Sequence, residues 1–195
     1  HGWPDGWQDV PGRSPNHAMR KLLPLLLLLL LLSAFLFPSP AQAVIVPTTK
    51  TCSVQTDNVS SLACTWSTAP VAGEAVSCNV GTFSSGRTFS VTDSATNTYT
   101  AEGAQFNGVA LGIFMQNFYF LNLPGTITTT TFNITGGVGS FLNIQCDTAN
   151  GVKTSAASDG HSTVNGSSVN VVTGSSMTTT GADWVFCGAQ SGGGT

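Results

Sequence analysis

Between residues 44 and 190 the apolar side chains recur at every second position, with no sustained period of three to four. Ala75–Val80 places Val76, Cys78 and Val80 on one side. Arg87–Thr92 sets Phe89 and Val91 against Thr88, Ser90 and Thr92. Ser140–Asp147 sets Leu142, Ile144 and Cys146 against Asn143, Gln145 and Asp147. A period of two is that of a strand with one face on a core. Thr126–Thr135 is predicted as a strand because β-branched Thr, with its stiff χ1, packs well on a pleated surface. Leu62–Trp66, Ser168–Thr173 and Ala182–Gln190 are further predicted strands. Val109–Leu123 is apolar on both parities, which predicts one or two central strands broken near Gln116-Asn117. A buried helix competes there, but the Phe, Tyr and Ile content favours strand.

About nine short strands, separated by Gly, Asn, Asp and Ser, predict an all-β fold. The expected architecture is a two-sheet antiparallel β-sandwich, Ig-like or jelly-roll, over residues 44–190.

A different pattern precedes it. Met19-Arg20-Lys21 opens a run from Leu22 to Phe37 that only Pro24 and Ser33 interrupt. Pro38 and Pro40 stop a helix, and Ala41-Gln42-Ala43 offers small residues at a cleavage site. Residues 19–43 therefore read as a signal-peptide helix cut after Ala43. A membrane anchor is the competing reading, but sixteen residues fall short of the roughly 20 that span a bilayer. Residues 1–18 then read as a disordered extension upstream of the true start. Ser191–Thr195 reads as a Gly-rich tail and a truncation point.

Separating these segments changes the meaning of the composition. The whole chain is 41% hydrophobic and 8% charged, with net charge −3. The Leu-rich run contributes to that hydrophobicity without belonging to the predicted sandwich. Beyond Ala43 the basic residues are Lys50, Arg87 and Lys153, against Asp57, Glu74, Asp93, Glu102, Asp147, Asp159 and Asp183. Without a basic excess there is nothing to neutralise phosphates, so nucleic acid is not an expected partner. A secreted or cell-surface location is expected, with no membrane association after signal cleavage.

Export permits disulfides. All five cysteines, Cys52, Cys64, Cys78, Cys146 and Cys187, lie beyond the cut. Cys52 and Cys64 could staple an N-terminal hairpin, while Cys78, Cys146 and Cys187 read either as small buried hydrophobes or as the source of one cross-sheet disulfide joining two of them. The odd number leaves one thiol over. No CxxC spacing occurs, so no metal is expected.

Three blocks carry a resemblance. They are Val91-Thr-Asp93-Ser-Ala-Thr-Asn97-Thr-Tyr99-Thr, then Phe118-Tyr119-Phe120 with Pro124-Gly125 and the Thr-rich strand, then Val169–Gln190. Together they resemble a repeated secreted or cell-surface β-sandwich module of environmental bacteria with no assigned activity. The resemblance spans Val71–Thr195. It implies an Ig-like or jelly-roll sandwich without a catalytic role. Thr96 stands where that pattern has Gly, and Gln145-Cys146-Asp147 replaces an acidic-aromatic pair.

Candidate chemistry is sparse. His161 is the one histidine beyond the cut, in a polar context without a nucleophile elbow. The loop from Thr148 to Gly166, with Lys153, Asp159 and His161, reads first as a flexible linker between strands, and its length makes a ligand-binding role the alternative. Trp66 could stack on a sugar ring, whereas Trp184 sits in an apolar run and reads as core. The expectation is a secreted non-catalytic module, structural or adhesive at the cell surface. Carbohydrate binding through exposed aromatics is the alternative, and an extracellular hydrolase the weakest reading. A cell-surface glycan or another extracellular protein module is the expected partner, and no cofactor is expected.

Overall fold

The computed structural model describes residues 44–109, 112–154 and 184–185. Eight strands lie among them: β1 (Val46–Thr56), β2 (Ser61–Thr65), β3 (Ala75–Thr82), β4 (Thr88–Asp93), β5 (Thr100–Gly108), β6 (Ile113–Phe120), β7 (Thr129–Thr135) and β8 (Leu142–Asn150). One sheet has the order β1-β8-β3-β6-β5, the other β2-β7-β4, and every pairing is antiparallel. The fold is a two-sheet antiparallel β-sandwich. No helix among the described residues is long and apolar enough to cross a membrane. Residues 1–43, Ser168–Thr173, all of Ala182–Gln190 but 184–185, and 191–195 lie outside the described residues.

The period-two pattern places the core as expected. Val76, Cys78 and Val80 of β3 and Leu142, Ile144 and Cys146 of β8 face inward from one sheet. Leu62 and Cys64 of β2, Phe89 and Val91 of β4 and Phe132 and Ile134 of β7 close the other side. Phe89 meets Phe132 edge to face at 5.1 Å, a preferred geometry for ring quadrupoles.

The structure corrects three expectations. The run Val109–Leu123 yields a single strand, β6, which passes through Gln116 and Asn117 without a break. The segment Thr148–Gly166 does not begin as a loop, because Thr148, Ala149 and Asn150 still pair in β8. The third correction exchanges the disulfide roles. Cys52–Cys64 joins β1 to β2, which belong to different sheets, so it bridges the sandwich and staples no hairpin. Cys78–Cys146 joins β3 to β8, direct neighbours in one sheet, with a Cα separation of 4.1 Å. Cys187 lies outside the described residues.

Candidate functional site

Of the four predicted ligand-binding residues, two can be placed. Trp66 is 6% exposed, and its indole N–H donates to the Thr130 hydroxyl at 2.9 Å. Its ring faces the core and offers no platform to a sugar, which removes it from the ligand-binding candidates. Lys153 is exposed just after β8. Asp159 and His161 lie outside the described residues.

Trp66 belongs to a buried polar network. Asp93, at the end of β4, accepts the N–H groups of Ala95 and Asn97 and the Asn97 amide, which folds the turn between β4 and β5. Its second oxygen accepts the Tyr99 hydroxyl at 3.4 Å. Burial is the main reason the Tyr99 phenol is pushed far above its usual range. A hydrogen bond from Thr130 opposes that shift, and the Asp93 carboxylate adds to it. The Asp93–Asn97 motif is thus a structural turn, with its carboxylate fully engaged.

Glu74 is engaged in the same way. It is 3% exposed, accepts Lys50 Nζ on both oxygens at 2.7 and 2.9 Å, and accepts the Val71 N–H. Neither Glu74 nor Asp93 is left for acid–base chemistry. Among the described residues no three His, Cys, Asp or Glu side chains are placed to hold a metal ion.

Two surfaces remain as candidates. The first is one end of the sandwich, where three loops interlock. Phe141, with φ of 52°, donates its N–H to Asp57, and its ring lies 5.2 Å from that of Phe83. Arg87 holds the carbonyls of Gly136 and Val138, and the Gly139 N–H donates to Val59. Gly139 is required there, since a Cβ would overlap Leu142 and Ile134. Phe141 is 43% exposed. The charged groups at this end, Arg87 and Asp57, are committed to holding the loops.

The second is the outer face of the five-stranded sheet. The register aligns Ser53, Gln145, Asn79, Asn117 and Glu102 in one row across β1, β8, β3, β6 and β5. The adjacent row is Thr51, Asp147, Ser77, Tyr119 and Thr100. These positions alternate with inward Cys52, Cys146, Cys78 and Phe118, so the period that builds the core also builds the rows. Asn79 Nδ2 donates to Asn117 Oδ1 at 2.7 Å. Gln145 is exposed, while Asn79, Asn117, Tyr119 and Asp147 are half-buried. Burial pushes the Asp147 carboxyl above its usual value, and a hydrogen bond with Gln145 partly opposes this.

The alternation around Gln145 and Asp147 was visible in the sequence, but their alignment with Asn79 and Tyr119 needs the strand order. No protein-family model, curated protein or solved structure matches the chain.

Proposed function

We propose that the protein is a secreted, non-catalytic β-sandwich module with an adhesive role at the cell surface, and that the outer face of its five-stranded sheet is the contact surface. The observation that carries this reading is the pair of aligned polar rows. Nine side chains on five strands present amides, hydroxyls, two carboxyls and one aromatic ring in fixed register, with Ser77 buried among them. The ladder beneath them fixes the backbone positions of these side chains, so no backbone ordering is needed on contact. The signal-peptide pattern at residues 19–43 supports export, and the two disulfides suit an oxidising compartment. The engagement of Glu74 and Asp93 in structural bonds supports a non-catalytic role.

Beads coated with the oxidised full chain test the proposal. They should attach to the envelope of the cells that export it. The double variant Tyr119→Ala/Gln145→Ala should lose attachment while its melting temperature stays within a few degrees. Attachment that the double variant leaves intact would sink the reading. Turnover of any polymer that a single polar substitution abolishes would do the same.

A further inference from the structure

We propose that this sheet face binds a neutral polysaccharide, laid across the strands along the rows Ser53–Gln145–Asn79–Asn117–Glu102 and Thr51–Asp147–Ser77–Tyr119–Thr100. The inference rests on the adhesive reading and names the chemistry of its partner.

Spacing comes first. Paired strands lie about 4.8 Å apart, so a row of five side chains extends roughly 19 Å, and the two rows are about 7 Å apart. An extended polymer that repeats its hydrogen-bonding groups every few ångströms matches such a row along its length. A polysaccharide does so with hydroxyls, each both donor and acceptor. Carboxamides are the matching protein groups, because each offers two donors and an acceptor. Gln145, Asn79 and Asn117 hold the three central positions of the first row. The bond between Asn79 and Asn117 orients both amides on this face.

Charge complementarity selects among polymers. None of the ten positions is Lys or Arg, and the charged positions are Asp147 and Glu102. An anionic glycan, a nucleic acid or an anionic lipid surface would find no cation in these rows. The central amides match an uncharged chain. Tyr119 adds a half-buried ring in the second row. An aromatic ring with a polar tip suits a sugar, whose C–H face packs on the ring while its hydroxyls reach neighbouring groups.

A protein partner fits less well. Protein hot spots favour several buried aromatic or Arg anchors, and these rows hold one aromatic and no Arg. A strand from another chain would add to a sheet edge and leave the face untouched.

The test is native affinity electrophoresis of the oxidised full chain in gels containing mixed-linkage β-glucan, xyloglucan, galactomannan or alginate, with pull-down on cellulose and chitin. At least one neutral polymer should retain the protein, and alginate should not. Tyr119→Ala and Gln145→Ala should each weaken retention about tenfold or more, equivalent to about 1.4 kcal/mol. Their thermal melting should stay within a few degrees of the parent. Phe141→Ala, at the loop end, should leave retention unchanged. Failure of every neutral polymer to retain the parent, retention by alginate alone, or retention that neither face substitution weakens overturns the inference. The bead assay separates the two proposals. Attachment lost in the face variants without retention by any neutral polymer leaves the adhesive reading standing and removes the polysaccharide. Retention without attachment keeps the binding site and removes the adhesive role.

Discussion

Cys52 and Cys146 stand directly opposite each other across β1 and β8, yet each is bonded to a different cysteine. Cys146 also faces Cys78 across β3, so three cysteines form one inward row on three adjacent strands. Cys64 approaches from the other sheet. This arrangement allows exchange inside the folded protein. In a Cys64→Ser variant, the freed Cys52 thiolate can attack the Cys146 sulfur. The Cys52–Cys146 bond forms, the Cys78–Cys146 bond breaks, and Cys78 leaves as a thiolate, with no external oxidant. Alkylation at mildly alkaline pH followed by non-reducing peptide mapping should recover both pairings of Cys146. Recovery of Cys78–Cys146 alone would show that the opposed cysteines do not communicate.

The two native disulfides should differ in worth. They close segments with sequence separations of 68 and 12 residues. Chain-entropy reasoning gives about 4 kcal/mol for the longer closure and about 3 kcal/mol for the shorter. Replacing Cys78 and Cys146 together by Ala should therefore destabilise more than replacing Cys52 and Cys64 together. Urea melts of the two double variants measure the order, and a reversed order would show that native packing outweighs loop closure.

Lys50 and Glu74 tie β1 to the segment entering β3. Their side chains are 17% and 5% exposed. Lys50→Met would leave a buried carboxylate without its cation, a loss of about 3 kcal/mol. Lys50→Met/Glu74→Leu should recover part of this, because both charges are then gone. The recovery is partial because Glu74 also accepts the Val71 N–H, which would lose its partner. Chemical denaturation of the single and double variants checks both statements. A single variant as stable as the parent would mean that solvent already screens the pair.

Asp147 gives the sheet face a pH signature. Its carboxyl is raised above its ordinary value by burial. Its cross-strand neighbours, Thr51 and Ser77, are uncharged and supply no compensating cation. A raised carboxyl binds its proton more tightly in the folded state than in the unfolded one. Its contribution therefore favours folding at acidic pH and is lost as pH rises from the ordinary value of 3.8 through the raised one. Asp147→Asn should flatten that fall and raise stability at neutral pH. Melting temperatures from mildly acidic to neutral pH decide it, and a variant whose profile parallels the parent's would show that Asp147 is not the group responsible.

The legible parts of the fold are those where burial enforces alternation. β7 and β8 each bury one face completely enough to mark the sequence, while β3 is buried on both faces except at Asn79. β5 left no such mark, because TAEGAQFNG is an edge strand with two glycines and mostly exposed side chains. β1 is an edge strand too, mostly polar, with Pro47 near its start and a register shift between Pro47 and Thr51. The exchanged disulfide roles have one cause. Parity says which way a cysteine points, but only strand order says which cysteine it meets. The polar rows were hidden for the same reason, since residues 53, 145, 79, 117 and 102 become neighbours through pairings between distant segments.

Thr96 is the place where a sequence irregularity became a measurable strain. It occupies the position where the resembled turn carries Gly, and its φ is 65°. A β-branched residue in the left-handed region is a genuine outlier, and such a conformation costs an L-residue roughly 1–2 kcal/mol. The turn holds it there: the Thr96 N–H donates to the Asp93 carbonyl, while the Asp93 carboxylate fixes the N–H groups on either side. The side chain is exposed, so removing it forfeits little packing. Thr96→Gly should release the strain. Against it stands the extra entropy Gly brings to the unfolded chain, about 0.5–1 kcal/mol. The net expectation is a gain of about 0.5–1 kcal/mol, or a rise of a few degrees in melting temperature. Asn58, with φ of 56°, is the internal control. Asn tolerates this region far better than Thr, so Asn58→Gly should bring no comparable gain. Thermal melts of the two glycine variants and of Thr96→Ala, which keeps a Cβ, separate strain from side-chain loss. A Thr96→Gly protein no more stable than Thr96→Ala would place the cost of this turn elsewhere.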